Sequence, residues 1–187
     1  MLFQTLTSLT LLALTSAAPT SLSKRWPEIP NILRPTVISS YSTTNGAITY
    51  DVPKGTAAKT SSGEISTLVT FSNPSQTLPT DCRVRFYLDG ADAGVVTEGT
   101  KQINIFTSFK GAPEGGSTGW GGPGNQRNGD VGRFLVYKGG NADLLWGNEV
   151  VKCPAKGETV AFEVVPAGEV DRVEWSKGLS GLYLTWV

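Results

Sequence analysis

The residues best suited to chemistry lie in a glycine-rich stretch between positions 110 and 130. Trp120 stands between two glycines, and Asn125, Gln126, Arg127 and Asn128 follow shortly after it. An indole face beside amide and guanidinium donors suits polyol recognition, because a sugar ring stacks on the aromatic plane while its hydroxyls meet the polar groups. These five residues are the candidate ligand-binding residues. The alternative is that Trp120 folds back onto a sheet edge and the amides satisfy backbone groups of a tight turn.

Carboxylates could support a second kind of chemistry. Glycoside hydrolysis needs two facing carboxyl groups, about 5 to 5.5 Å apart in retaining enzymes and about 6.5 to 9.5 Å apart in inverting ones. The candidates are Glu163, Glu169, Asp171 and Glu174. Glu163 and Glu174 fall on the outward faces of predicted strands, where a solvated charge is the ordinary expectation. The sequence therefore favours a protein that is not an enzyme, with a two-carboxylate glycoside hydrolase as the weaker alternative.

Composition excludes several other kinds of site. The chain contains no histidine, which removes Ser-His-Asp and Cys-His nucleophilic sites and zinc held by histidine. The DGADAG segment at 89–94 lacks the spacing of a helix-loop-helix calcium site and is predicted to be a hairpin turn. No cofactor and no metal are expected, although a calcium ion held by loop carbonyls stays open. Lys+Arg and Asp+Glu number 16 each, so a nucleic-acid partner is not expected.

The elements that must position these residues are short strands. With 22 glycines and 11 prolines in 187 residues, and no helical periodicity beyond residue 17, the chain is predicted to form one all-β domain. The clearest run is CRVRFYL at 82–88, which places alternate residues from Cys82 to Leu88 on one face. We predict a jelly-roll-like antiparallel β-sandwich, while an immunoglobulin-like topology stays open. About nine strands are predicted, at 37–41, 47–52, 65–71, 82–88, 102–109, 131–137, 159–165, 170–175 and 182–187.

Two arginines face away from the predicted core. Arg83 and Arg85 alternate with the apolar residues of the 82–88 run. Such arginines usually pair with acids on neighbouring strands, and we expect Glu163 or Glu174 in that role.

The tryptophans outside the glycine-rich stretch are assigned by their strand pattern. Trp175 and Trp186 lie in predicted strands and are expected in the core. Trp146, in the LLWGNE stretch, is left undecided. Trp26 belongs to the proline-rich lead-in and is expected to be exposed.

The start of the chain predicts secretion. Residues 1–17 carry a short apolar run followed by small residues ending at Ala17, which is typical of a signal peptide and too short for a membrane span of about 20 residues. A pro-segment at 18–25 ends in the dibasic pair Lys24 and Arg25, where a processing protease would cut, although the pair is also compatible with an ordinary solvated charge pair. A proline-rich lead-in at 26–35 precedes the domain at 36–187, which contains the glycine-rich loop 110–130. The expected location is extracellular.

The two cysteines, Cys82 and Cys153, are an even number in a protein expected in an oxidising compartment. A disulfide is therefore predicted. It would close a loop of about 72 residues, for which the chain-entropy model gives roughly 4 kcal/mol. Two free buried thiols are the alternative.

Several stretches of the chain resemble a known fungal family. They are YDVPKGTAAKTSSGEISTLVTF, DCRVRFYLDG, WGGPGNQRNGDVGRFLV and CPAKGETVAFEVVPAGEVDRVEWSKGLSGLYLTW. Together they resemble the fungal ubiquitin 3 binding protein But-type C-terminal domain family over about residues 36–187. The resemblance implies a fungal protein and transfers no catalytic residue. The family takes its name from a cytosolic partner, which an exported, disulfide-bonded member would not meet.

The expected function is that of a secreted, non-catalytic binding module at the cell wall or in the extracellular space. A cell-wall polysaccharide is the first expected partner. A secreted effector that binds an extracellular protein is the alternative, and a purely structural wall component is a further one. No membrane anchor is expected after removal of the signal peptide.

Overall fold

The structure is a computed structural model that describes residues 26, 27, 29–112, 122, 124 and 126–186. The predicted signal peptide, Ala17 and the Lys24-Arg25 pair lie outside the described residues. Within the described ranges the regular secondary structure is entirely strand. The strands are β1 (Ile32–Leu33), β2 (Val37–Ser42), β3 (Ile48–Thr49), β4 (Lys54–Thr60), β5 (Gly63–Ser72), β6 (Asp81–Leu88), β7 (Val96–Glu98), β8 (Gln102–Ser108), β9 (Arg127–Leu135), β10 (Gly140–Asn141), β11 (Asp143–Gly147), β12 (Val150–Lys152), β13 (Thr159–Pro166), β14 (Arg172–Ser176) and β15 (Gly181–Thr185).

The strands form two antiparallel sheets. The small sheet has the order β1-β15-β6, and both β10 and β12 pair with β6. The large sheet has the order β11-β9-β8-β13-β5-β4-β14-β7, with β2 beside β5 and β3 beside β2. One hydrophobic core draws buried residues from both sheets. Across it, Phe86 of the small sheet meets Trp175 of the large sheet edge to face, with ring centroids 5.1 Å apart. The predicted antiparallel β-sandwich is confirmed.

Alternation of apolar residues positions the core side chains. On β6 the inward residues from Cys82 to Leu88 are buried, as the period-2 pattern predicts. Trp175 is also buried, as expected, whereas Trp186 is only half-buried against the core. The expectation for Trp26 is wrong. It is buried, because its ring packs edge to face on Tyr183 at 6.0 Å with the guanidinium of Arg34 5.8 Å from the ring centroid.

The strand predictions differ from the structure where the apolar pattern is weak. β4 has the sequence KGTAAKT, which lacks large apolar residues, and it is a strand because its backbone pairs with β5 and β14. The short strands β1, β7, β10, β11 and β12 were also not predicted. The predicted strand 47–52 is reduced to Ile48–Thr49, because Asp51 has a φ of 47° and turns the chain out of the extended conformation. β9 begins at Arg127, so the last residues of the predicted loop 110–130 belong to a strand.

The predicted disulfide is confirmed between Cys82 and Cys153. Cys82 is on β6, and Cys153 directly follows β12, whose Val151 pairs with Cys82. The backbone N–H of Cys153 also donates to Thr80 O at 2.9 Å. The bridge therefore fixes the short strand β12 to the centre of the small sheet. In the part of the chain that is described, no helix is long and apolar enough to cross a membrane.

Candidate functional site

The face of the large sheet that points away from the core carries the described parts of the glycine-rich stretch. Ala112 N donates to Thr70 Oγ1 at 3.1 Å, and Ser39 Oγ donates to Ala112 O at 3.0 Å. Gly124 lies so close to the ring of Tyr41 that an added Cβ would be 2.3 Å from Cε2. Ala112 belongs to a second, small hydrophobic cluster with Tyr41. Both ends of the stretch are thus packed on this outer face.

The five candidate ligand-binding residues divide into two groups. Trp120 and Asn125 lie outside the described residues. Gln126 is half-buried, and its carbonyl accepts from Phe109 N at 3.0 Å. Arg127 and Asn128 open β9, and Asn128 is exposed.

Arg127 is held by two carboxylates. Its Nε donates to Glu163 Oε2 at 2.8 Å. One terminal nitrogen donates to Glu163 Oε1 at 3.1 Å and to Glu64 Oε1 at 2.9 Å. The guanidinium also lies 5.5 Å from the ring centroid of Phe106. Most of its hydrogen-bonding capacity is therefore used within the protein.

The prediction that Glu163 carries a solvated carboxylate is wrong. The side chain does point to the outer face, but the residue is 0 % exposed. Arg127 and a hydroxyl donated by Ser66 occupy its oxygens. Arg127 and Ser66 cover this outward position, and a buried charge requires such partners.

The other three carboxylates are also committed to local contacts. Glu174 is buried, contrary to expectation, and binds Lys54 and Arg172. Burial opposes its ionisation, but the hydrogen bonds from Lys54 and Arg172 outweigh that cost and lower the pKa of Glu174. Asp171 accepts from Thr100 Oγ1 at 2.6 Å and also from Thr100 N and Gly168 N. The fourth, Glu169, is exposed and pairs with Lys59 at 2.9 Å.

The two carboxylates considered for hydrolysis on strands have separate partners. Glu163 on β13 binds Arg127, whereas Glu174 on β14 binds Lys54 and Arg172. Among the described residues, no group of three or more possible metal ligands is found.

Two further expectations are corrected. Arg83 and Arg85 pair neither with Glu163 nor with Glu174, but both bind Glu149, at 2.9 and 2.7 Å. The segment 89–94 is not a hairpin turn, because it passes from β6 of the small sheet to β7 of the large sheet.

The buried Asp92 holds the segment that connects the two sheets in place. It accepts hydrogen bonds from Ser176 Oγ at 2.7 Å, Ser180 Oγ at 2.9 Å and Gly94 N at 2.8 Å. Burial opposes ionisation of Asp92, but the hydrogen bonds from Ser176, Gly94 and Ser180 lower its pKa from the ordinary value of an aspartate.

An exposed aromatic surface lies elsewhere on the outer face, at β11. Trp146 is 48 % exposed and its neighbour Leu145 is 46 % exposed. A β-bulge between Leu144 and Trp146 shifts the register with β9 at this point. Gly132 and Gly147 allow the shift, since both have positive φ and a Cβ on Gly132 would lie 2.3 Å from Trp146 O. Two glycines thus build the bend that presents Trp146 to solvent.

Arg133 lies beside this tryptophan, and Tyr137 contacts the same edge of the sheet through Asp143. The guanidinium of Arg133 lies 5.8 Å from the Trp146 ring centroid, and Arg133 Nε donates to Asn104 Oδ1 at 2.9 Å. Tyr137 is 42 % exposed, and its ring rests against Gly140. We call Asn104, Arg133, Tyr137 and Trp146 the edge platform, because β11 is the edge strand of the large sheet.

The edge platform was not found from the sequence. Trp146 stands beside a glycine in LLWGNE, but its exposure depends on the contact between Gly132 and Gly147, which are distant in the chain. The chain matches no family model and no curated protein.

Proposed function

We propose that this protein is a non-catalytic extracellular binding module that binds carbohydrate at the edge platform. The observation that carries the proposal is the outward display of Trp146 on a bulge built by two glycines. A large aromatic ring contributes little to the core from such a position. Its display on a fixed strand is typical of a recognition surface, since binding sites combine an apolar platform with a few placed polar groups.

The polar groups of the edge platform suit a polyol. A sugar ring can stack on the face of Trp146 that Arg133 does not cover. Asn104 and Arg133 are linked by a hydrogen bond, so the amide and the guanidinium are held in place before a ligand arrives. Tyr137 adds a second aromatic ring, whose hydroxyl donates to Asp143 at 3.3 Å.

Several observations support an extracellular location. The disulfide is compatible with an oxidising compartment. The apolar run and small residues at 1–17 are typical of a signal peptide. We propose that the protein is a secreted fungal member of the ubiquitin 3 binding protein But-type C-terminal domain family, on the stretches of sequence quoted above.

The contacts of the carboxylates support a non-catalytic role. Glu163 is closed off by Arg127 and Ser66, and Glu174 lies between Lys54 and Arg172. A glycosidase acid or nucleophile must reach the substrate, whereas these groups are buried and ion-paired.

A protein partner is the second candidate. Leu145 and Trp146 are both exposed on an edge strand. Such a strand offers unpaired backbone groups and apolar side chains to an extended peptide. A secreted effector that binds an extracellular protein would use the same surface.

The test is a binding assay on the oxidised protein, expressed as the full chain in a secreting fungal host and purified from the medium. Affinity electrophoresis against fungal and plant wall polysaccharides would compare the wild type with Trp146→Ala, Trp120→Ala and the exposed control Val170→Ala. Retardation lost only in Trp146→Ala would support the edge platform. Loss only in Trp120→Ala would move the site to the glycine-rich stretch, and no retardation by any polysaccharide would favour the protein partner.

A further inference from the structure

A cavity that shares no residue with the edge platform opens between the two sheets. It has a volume of about 260 Å³ and lies where β12 of the small sheet approaches β8 and β13 of the large sheet. This volume is somewhat below the range of about 300 to 1,000 Å³ that is typical of sites for drug-sized ligands. The cavity therefore suits a small ligand.

The floor of the cavity is apolar and continuous with the main core. It is formed by Val151, Val160 and Phe162, and all three belong to or pack against the core cluster. Phe162 is buried and meets Phe71 edge to face at 5.7 Å. A floor fixed in this way offers a preformed apolar surface to a hydrocarbon group.

The rim of the cavity holds an exposed aromatic side chain. The side chain of Phe109 is large and apolar, yet the residue is 71 % exposed. Its backbone is fixed by the hydrogen bond from Phe109 N to Gln126 O. A ligand seated on the floor would bury part of this ring, and removal of that apolar surface from water favours binding.

The rim also holds a positive charge. Lys152 is the only charged residue among the described residues that line the cavity. It forms no salt bridge with another described residue. Thr159, which is exposed at the start of β13, adds a hydroxyl to the rim.

We propose that this cavity binds a small aliphatic carboxylate, with its hydrocarbon chain on the Val151, Val160 and Phe162 floor. Phe109 covers the chain, and the carboxylate lies at the rim within reach of the ammonium group of Lys152. The apolar floor selects the chain, and the charge of Lys152 selects a carboxylate over an alcohol or an amine of the same length.

The probe is octanoate, titrated into the oxidised full-chain protein by isothermal calorimetry, with octanol and octylammonium as the neutral and cationic analogues. We expect octanoate to bind at least about tenfold more tightly than octanol, and octylammonium to give no saturable heat. Lys152→Gln should remove the preference for octanoate over octanol. Phe109→Ala should weaken both ligands about tenfold, and Thr159→Trp, which fills the mouth, should abolish binding.

Matched controls keep the outcome specific. Lys138→Gln removes an exposed lysine outside the lining, and Val170→Ala shortens another exposed apolar side chain. Both should bind octanoate as the wild type does, and so should Trp146→Ala, because the cavity is independent of the edge platform. The proposal is overturned if octanoate gives no saturable heat, or if Thr159→Trp binds it unchanged. Equal affinity for octanoate and octanol in the wild type would also overturn the assignment of a carboxylate. Unchanged thermal unfolding of each variant shows that the fold is intact.

Discussion

Arg127 and Glu163 join the end of the glycine-rich stretch to the middle of the large sheet. Arg127 Nε lies 2.8 Å from Glu163 Oε2, and the carboxylate has no exposure to solvent. The side chain of Arg127 is 35 % exposed, so water reaches the arginine but not the glutamate. The arginine thus provides the charge that allows a glutamate to be buried on the outer face.

Replacement of Arg127 by Ala should therefore destabilise the protein. The change leaves a buried carboxylate without its cation, and we expect a loss of about 3 kcal/mol, the lower end for a broken buried pair because the arginine is partly exposed. Urea unfolding measures the loss. The matched control is Lys59→Ala, which breaks the exposed pair with Glu169 and should cost far less than Arg127→Ala. Equal effects of the two variants would show that Glu163 does not need Arg127.

Removal of the disulfide should lower stability by about 4 kcal/mol. Cys82 and Cys153 are 71 residues apart in sequence, and the cross-link restricts a long loop of the unfolded chain. The measurement is guanidinium unfolding of the double variant Cys82→Ala and Cys153→Ala beside the oxidised wild type. A loss below about 1 kcal/mol would mean that the cross-link contributes little to stability.

The bulge beside Trp146 should be sensitive to a single methyl group. A Cβ on Gly132 would collide with Trp146 O at 2.3 Å and would also require an unfavourable φ. Gly157→Ala is the control, because Gly157 also has a positive φ but no atom within 4 Å of its added Cβ. We expect Gly132→Ala to cost at least about 1 kcal/mol more than Gly157→Ala in unfolding free energy. The prediction fails if the two alanines have the same effect.

Truncation of two tryptophans should change the stability of the protein to very different extents. Trp175→Ala empties a fully buried position and should cost about 3 to 5 kcal/mol. Trp146→Ala removes a half-exposed ring and should change the free energy of unfolding by about 0.5 kcal/mol or less. Chemical unfolding of the two variants distinguishes them. A large loss in Trp146→Ala would identify the ring as a packing element and would remove the basis for the edge platform.

Acid should unfold the protein partly through Asp92. Its pKa is lower in the folded protein than in the unfolded chain, so the unfolded chain binds the proton more readily than the folded chain does. The stabilisation is fully present above about pH 5 and is lost as the pH falls through the folded pKa. Thermal unfolding between about pH 5 and pH 2 should show a shallower loss of Tm in Asp92→Asn than in the wild type.

Glu169→Gln is the control for the acid experiment. Glu169 is exposed and pairs only with Lys59 among the interactions described above, so the control should retain the wild-type slope. An unchanged slope in Asp92→Asn would exclude Asp92 as a source of the acid sensitivity.

Local periodicity was sufficient to predict much of the sandwich. Alternation in the 82–88 run placed Cys82 and its inward neighbours correctly, and the same reasoning located β5, β8 and β13. It also placed Glu163 correctly on the outer face. Its burial could not be predicted, because its partners Arg127 and Ser66 come from other strands and no local pattern places them beside it.

The exposed tryptophan illustrates a different reason for failure. The side chain of Trp146 faces solvent because Gly132 and Gly147 approach each other across two strands. No local pattern encodes that approach. Likewise, β4 contains no large apolar residue, and its strand conformation follows from its neighbours in the sheet.

The pairing of β1 with β15 has a mechanical consequence. Ile32 lies opposite Thr185, and Thr185 Oγ1 donates to Asn31 O at 2.6 Å, so the two ends of the described chain leave the small sheet side by side. A tensile load between these ends acts on the β1–β15 hydrogen bonds in sequence rather than together, and this edge opens at low force. Further extension then transmits the load through the Cys82–Cys153 bond. The chain between the two cysteines, which are 71 residues apart in sequence, therefore cannot be extended while the bond is intact.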